Sequence, residues 1–465
     1  MFSLASLISL AALLDLLYGL YTTFKHARNF VRWRCGSLPA YPSDFLGWNT
    51  LKELQAADKA RRLPVLFVDR FSLMETRENR RVNTYLTRQA LRDVIITCDP
   101  KNVQAMLATQ FQDFELGSAR RISLHPLLGN GIFTTDGEHC DLNLEERHVQ
   151  HAFRAMPVDP TTGWTSAVDI QTLFFRLTMD SATEFLFGES VNSQSAALDT
   201  NQPDSFSANF DRGQQFAGQR ARLDKLHWLA NTKESRHVTA EVHAYQQSRK
   251  PDISSPAPTK QHGVFLQQLA AATQDPIELR SQLLNVLLAG RDTTASLLSW
   301  SLLLLARHSD LHCPITFTSL KDCRYLQAFL NEVLRLYPIV PNNRRTAVRD
   351  TTLPRGGGPD GSRPVYIRAG QQVLYSVFAM HRRVDLWGED ANEFRPERWE
   401  YLPFNGGPRI CIGQQFALTE AGYVLVRLLQ RFGAVEDVFS EREISYALNL
   451  TIAPGENVTV RMKAA

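Results

Sequence analysis

The sequence predicts one large, mainly α domain with a minor β component. Its 465 residues are 44% hydrophobic, enough to fill a sizeable core. Helical apolar periodicity dominates from about residue 101 to 345, and the carboxy-terminal third mixes short strand-like runs with Pro/Gly-rich turns. The strand-then-helix alternation of a Rossmann domain is missing, as are internal repeats and extended low-complexity tracts. With 51 basic and 48 acidic residues the net charge is +3, too even for nucleic-acid binding, so no nucleic-acid partner is expected.

At the amino terminus, "FSLASLISLAALLDLLYGLYTTF" (2–24) is apolar for roughly 20 residues, the length a bilayer requires, although Asp15 interrupts it. Lys25, His26, Arg28, Arg32 and Arg34 follow directly and nothing basic precedes it. This reads as an uncleaved transmembrane anchor with the rest of the chain on the cytoplasmic side; a cleaved signal peptide is the alternative. Residues 1–24 are then the anchor, 25–50 a basic hinge containing "GSLPAYPSDFLGW" (36–48), and 51–465 the folded domain. The sequons at Asn449 and Asn457 would stay unmodified in that topology.

Within the domain, "RDVIITCDP" (92–100) has the β-branched content of a strand closed by Asp-Pro. "SSPAPTKQHG" (254–263) is the clearest internal loop. "IELRSQLLNVLLAGRDTTASLLSWSLLLLAR" (277–307) is apolar nearly all round and reads as a buried helix. A second span is excluded by Arg291 and Asp292 at its centre. "LPRGGGPDGSRPVYI" and "ALNLTIAPGENVTVRMK" read as hairpin regions.

Three stretches bear on chemistry. The six cysteines (35, 98, 140, 313, 323, 411) are scattered without a CxxC pair, which indicates neither a disulfide framework nor a zinc site and fits a reducing compartment. Cys411 sits in "FNGGPRICIG" (404–413), which could hold a structural thiol, a nucleophile or a metal-bound thiolate; a nucleophile needs a histidine base, and no histidine lies near it in sequence. "AGRDTT" (289–294) interrupts the apolar helix. Gly290 costs about 1 kcal/mol there relative to alanine, and Asp292 and Thr293 compete for backbone partners. A polar helix–helix contact explains it blandly; a local widening that accommodates a ligand and a proton path explains it functionally. "NEVLRLYP" places Glu332 and Arg335 on one helical face, a pattern common on solvated helices, and "FRPERW" supplies Arg398 as a further partner.

Taken in this order, the motifs resemble the cytochrome P-450 superfamily of haem-thiolate monooxygenases. The match to its haem-binding signature falls on Phe404, Gly407, Arg409, Cys411 and Gly413. The resemblance implies a P-450-like domain holding haem b (iron protoporphyrin IX) with Cys411 as the axial iron ligand. Arg409 and Arg345 would neutralise propionates, and Phe404 would shield the sulfur. Thr293 would lie beside dioxygen, Asp292 would relay protons, and Glu332, Arg335 and Arg398 would be structural. Small residues around Cys411 would let backbone N–H groups approach the sulfur.

The stretches 107–121, 125–139, 174–190 and 402–429 are similar to the fungal n-alkane and fatty-acid hydroxylases. That branch implies a long-chain aliphatic substrate hydroxylated at its terminal carbon, with dioxygen and with electrons passed from NADPH by a flavoprotein reductase at the endoplasmic reticulum membrane. Phe111, Phe114, Leu127, Leu128, Ile132 and Phe133 could line an access channel or be ordinary core. The chain departs from the family at three points. His139 runs directly into "CDLNLEERHVQ" where the family carries a propionate-contacting Trp/Arg helix, and residues are missing after Arg307 and between Trp399 and Tyr401. Some family helices are therefore expected to be deleted. The alternative function is a catalytically silent or misfolded haem-thiolate remnant.

Overall fold

The computed structural model describes residues 4–128, 142–196, 205–248, 275–308, 324–396 and 402–465, with isolated positions between 269 and 273. The mainly α expectation holds. Helices α1 (Leu4–Arg32), α2 (Trp48–Lys59), α3 (Leu63–Glu78), α4 (Pro100–Gln104) and α5 (Ser118–Leu128) lead into α6 (Leu142–Arg154), α7 (Ile170–Phe187), α8 (Ser193–Ala196), α9 (Ser205–Leu223) and α10 (Lys233–Ser248). The central α11 (Pro276–Arg307) follows, then α12 (Arg324–Leu336), two short helices, α13 (Val377–Met380) and α14 (Val384–Trp387), and α15 (Gln414–Arg431).

The strands are minor and peripheral. β1 (Thr84–Gln89), β2 (Arg92–Thr97), β3 (Phe114–Glu115), β5 (Asn342–Ala347) and β8 (Gln372–Ser376) form one sheet in the order β1-β2-β8-β5-β3. Only the β2–β8 pairing is parallel. The Asp-Pro after β2 is a helix start, with Lys101 N–H donating to Asp99 Oδ1 at 2.9 Å. Both hairpin regions are present: β6 (Thr351–Gly357) with β7 (Arg363–Ile367), and β10 (Tyr446–Leu448) with β11 (Ile452–Pro454). β12 (Thr459–Ala464) joins β4 (Val168–Asp169) and β9 (Phe432–Asp437).

α11 is the helix around which the largest core forms. Asp275 caps it by accepting from Ile277 N–H at 2.9 Å, and Pro276 opens its first turn. Its apolar residues meet α7, α12, α15 and the carboxy-terminal strands, with Trp300 stacked on Tyr337 at 4.1 Å between centroids. Separate apolar clusters lie under the five-stranded sheet and between α5, α9 and the first half of α11.

The expected membrane anchor is overturned. Among the described residues no helix is long and apolar enough to cross a membrane. α1 does form over Leu4–Arg32, but side-chain surroundings are described only from residue 9. Within α1 the stretch up to Phe24 is interrupted by Asp15 and by Tyr18, Tyr21, Thr22 and Thr23, which reduce its apolar character. The single-pass topology, the bilayer partner and the endoplasmic reticulum location inferred from that anchor fall with it. Residues 25–50 dock on the β6–β7 hairpin: Lys25 Nζ lies 3.0 Å from Asp350, and Gly36 N–H donates to the Pro364 carbonyl at 2.9 Å. The internal loop 254–263, the three family departures around 129–141, 309–323 and 397–401, and Arg398 itself lie outside the described residues.

Two contacts set the position of the cysteine loop. Arg335 and Glu332 are each 1% exposed. Arg335 Nε and Nη2 donate to the two Glu332 oxygens at 2.7 and 2.8 Å. Its remaining donors reach the carbonyls of His381, Ala391 and Glu393 at 2.7–3.0 Å. His381 extends the link. Its Nε2 accepts from Leu402 N–H at 2.9 Å, so Nδ1 carries the proton and donates to the Arg335 carbonyl at 3.1 Å. Burial pushes the His381 pKa down to about 3, consistent with this neutral ring. The second contact is steric. Gly407 has φ +65°, and a Cβ there would stand 1.9 Å from the Leu107 carbonyl oxygen, whereas one at Gly413 would meet no atom within 4 Å.

Arg335→Leu leaves the Glu332 charge buried and unpaired and should cost about 3–5 kcal/mol, read as a lower urea midpoint followed by circular dichroism. A midpoint within experimental error of the parent would remove Arg335 from its structural role. Gly407→Ala should cost about 2 kcal/mol or more through the left-handed backbone and the Leu107 clash, while Gly413→Ala should stay within about 0.5 kcal/mol. Equal costs at the two glycines would contradict this packing.

Candidate functional site

The cysteine loop runs from Leu402 to the start of α15. Asn405 takes a left-handed conformation at φ 64° and turns the chain, and Cys411 N–H donates to the Phe404 carbonyl at 2.9 Å, closing the loop. Tyr375 Oη donates to Asn405 Oδ1 at 2.9 Å, and Asn405 Nδ2 donates to the Arg409 carbonyl at 3.1 Å. The loop is thereby fastened to β8 of the five-stranded sheet. Cys411 is exposed, and Cys35 and Cys98 are free and buried. Of the loop glycines, only Gly407 is required by a close approach among the described residues; Gly413 faces open space.

Beside the loop, the fold assembles three arginines from distant parts of the chain. Arg345 comes from β5 and is 2% exposed. Arg409 lies over the Phe111 ring at 5.5 Å. Arg120 comes from α5, and its Nη1 donates to Asn343 Oδ1 at 3.0 Å. Arg345 Nη1 donates to the same Asn343 oxygen at 3.1 Å and to the Arg344 carbonyl at 2.9 Å. Burial first, and then the Arg409 charge, pushes the Arg345 pKa down. Solvent reaches the Arg120 residue, but burial of its guanidinium, then Arg345 and Arg409, push its pKa down too. Among the described residues the polar partners of Arg120 and Arg345 are neutral oxygens, none of the three arginines is paired with a carboxylate, and the buried Arg345 Nε has no partner. Three cations gathered without an anion repel one another. Such a cradle fits the two carboxylates of a haem, and the neighbouring thiol fits its iron.

On α11, Asp292 is 4% exposed and pairs with Arg291 Nη1 at 3.0 Å. Burial pushes the Asp292 carboxyl up to about 6 despite the adjacent guanidinium. Arg291 also pairs with Asp211 of α9, with Nη2 donating to Asp211 Oδ2 at 3.1 Å. Thr293 Oγ1 donates to the Ala289 carbonyl at 2.6 Å. At Gly290, α11 is assigned helical from Pro276 to Arg307, and a Cβ there would meet only Ala182, at 3.9 Å.

Sequence reasoning missed several groups. Arg120, Asn343 and Tyr375 reach the loop only through the fold, and Asp211 is an ordinary acid of a surface-patterned helix. Glu420 lies on α15 and is 2% exposed; its Oε1 accepts from Ser181 Oγ at 2.8 Å, and burial pushes its carboxyl up to about 7. An acid in the apolar run "FALTEAGYVL" was the available signal. Of the proposed channel residues, Phe114, Leu127 and Leu128 are buried in apolar clusters, Phe111 lies under Arg409, and Ile132 and Phe133 fall outside the described residues.

Residues 146–453 match the family model "Cytochrome P450". The chain is 41% identical to "Cytochrome P450 monooxygenase g430" of Fusarium sp, covering 96% of this chain and 88% of that protein. It is 44% identical to "Cytochrome P450 52A10" of Candida maltosa, covering 76% and 79% respectively. The crystal structure of cytochrome P450DA heme domain superposes with a TM-score of 0.70 at 21% identity, over 93% of this chain and 98% of that one, a likeness of fold. The chain therefore belongs to the cytochrome P450 family and is a haem-thiolate monooxygenase by that membership.

Proposed function

We propose that this monooxygenase hydroxylates long-chain aliphatic substrates, n-alkanes or fatty acids, at the terminal carbon, drawing electrons from NADPH through a flavoprotein reductase. The haem part of this reading rests on the uncompensated cluster of Arg120, Arg345 and Arg409 beside the Cys411 loop. The substrate part is supported by the similarity of residues 107–121, 125–139, 174–190 and 402–429 to the fungal alkane and fatty-acid hydroxylases. Cys411 would hold the haem iron through its thiolate, Arg120, Arg345 and Arg409 would hold the propionates, and Phe404 would shield the sulfur. When bound, the haem supplies an iron centre at which thiolate electron donation favours O–O cleavage.

The chain's own residues hold and move the protons that this chemistry consumes. A carboxyl poised near 6 can give up and regain a proton at neutral pH, which suits Asp292 to a relay. Arg291 holds Asp292 at 3.0 Å and is itself shared with Asp211, so the relay acid is tied to α9. The Thr293 hydroxyl spends its hydrogen on the Ala289 carbonyl and keeps lone pairs to accept another hydrogen bond.

One observation favours a second reading, a haem-binding chain without turnover. The alignment with the Fusarium relative runs over 510 positions, more than the 465 residues present here, so that relative carries residues this chain lacks.

The purified chain, reconstituted with reductase and NADPH, should convert dodecanoic acid or dodecane to the product hydroxylated at the terminal carbon, identified by mass spectrometry. Hydroxylation confined to internal carbons would contradict the regiochemistry, and retained haem with no product would establish the second reading. Thr293→Ala should keep its haem while hydrogen peroxide replaces product, with product formation falling at least roughly tenfold. Unchanged coupling would remove Thr293 from the mechanism.

A further inference from the structure

Elsewhere the fold gives buried arginines acids of their own: Arg70 pairs with Glu53, Arg291 with Asp211 and Asp292, and Arg335 with Glu332. At Arg345 an amide stands where those arginines have a carboxylate. Asn343 Oδ1 accepts from Arg120 Nη1 at 3.0 Å, from Arg345 Nη1 at 3.1 Å and from the Arg344 backbone N–H at 2.9 Å. Three donors converging on one atom require an acceptor there, so the amide oxygen and not its nitrogen faces the arginines. Two guanidiniums, one from α5 and one from β5, are thereby held by a single uncharged atom.

The strand explains how Asn343 comes to this place. Alternation along β5 puts Asn343 and Arg345 on one face, and Asn343 stands directly opposite Tyr375 of β8. The Tyr375 ring lies 5.6 Å from the Arg345 guanidinium, and its hydroxyl donates to Asn405 of the cysteine loop at 2.9 Å. Asn343 therefore joins α5 to the part of the sheet that is itself tied to the loop. A hydrogen bond to a neutral oxygen orients a guanidinium and leaves its charge in place, whereas an ion pair compensates that charge. Among the described residues the groups that act on Arg120 through its charge are Arg345, Tyr375 and Arg409, none of them a carboxylate.

We infer that Asn343 is the positioning residue of the propionate cradle: its neutral oxygen sets Arg120 and Arg345 side by side without compensating their charge, which reserves both for the haem carboxylates. The inference rests on the haem assignment proposed above. Aspartate has the same shape and would bond the same three donors more strongly, but its charge would occupy the place of the propionates. The position thus separates holding the fold from holding the cofactor. A residue needed only to fasten α5 to β5 would serve better as aspartate. One that keeps the cradle charged must be neutral.

The test is haem transfer from the full-length haem-loaded chain to excess apomyoglobin, followed in the Soret band, the parent compared with Asn343→Asp and Asn343→Ala. Asn343→Asp should lose haem roughly tenfold faster than the parent and Asn343→Ala roughly threefold faster. The reverse order, with alanine losing haem faster than aspartate, would reduce Asn343 to a structural fastener. Rates within error of the parent in both variants would remove it from the cradle. Far-UV circular dichroism of Asn343→Asp should overlay that of the parent; a disrupted spectrum would contradict the inference, since a carboxylate of the same shape would then not be pairing with the two guanidiniums. The parent separates the two claims. Haem retained by the parent and equally by both variants sinks only the role of Asn343, and a parent that holds no haem sinks the haem assignment with it.

Discussion

The Arg335–Glu332 pair is the contact on which the cysteine loop's position depends. Its five hydrogen bonds draw together α12, the carbonyl of His381 and the segment around Ala391 and Glu393. Glu332 also accepts from the Arg395 backbone N–H at 2.7 Å. Every donor of the guanidinium is used, which is the condition under which a buried ion pair is tolerable. Through neutral His381 the same node reaches Leu402, the first described residue ahead of the cysteine signature. The loop is thus hung from a buried, fully hydrogen-bonded point, and Gly407 lets it press against the Leu107 carbonyl.

On that scaffold the electrostatics are unbalanced in a specific direction. Arg335 has its acid; among the described residues Arg345, Arg409 and Arg120 do not. The fold holds positive charge beside Cys411 that only a bound anion relieves, while on α11 it holds an acid whose burial keeps its proton exchangeable near neutrality. The two arrangements suit different halves of one chemistry, retention of an anionic cofactor and delivery of protons. Asp211 connects the second arrangement to α9.

What could be read in the sequence was what is local in it. The cysteine loop, the polar interruption of α11 and the Glu332/Arg335 spacing each lie within ten residues, and the hairpins announce themselves through their turn residues. The Arg120–Arg345–Arg409 cluster was half legible: Arg345 and Arg409 followed from the resemblance, but Arg120 is brought in by α5 and carries no local mark. His381 and Glu420 were likewise hidden, because a single buried histidine or acid looks like any other until its partners are placed. One physical reading did not survive. The apolar composition at the amino terminus reads as a span, yet the helix there carries an acid, tyrosines and threonines, and among the described residues none is long and apolar enough to cross a membrane. The polar interruption at Gly290 left two readings open, a polar helix contact and a local widening, and the helix there runs on with Thr293 donating to the Ala289 carbonyl.

The central claim is that Cys411 and the three arginines hold a haem through thiolate ligation even though this chain lacks residues its relatives possess. The reduced, carbon-monoxide difference spectrum of the full-length chain tests it most directly. The account predicts the red-shifted Soret band of thiolate-ligated haem, lost in Cys411→Ala. A band at the shorter wavelength of a neutral ligand, or no haem at all, would contradict it.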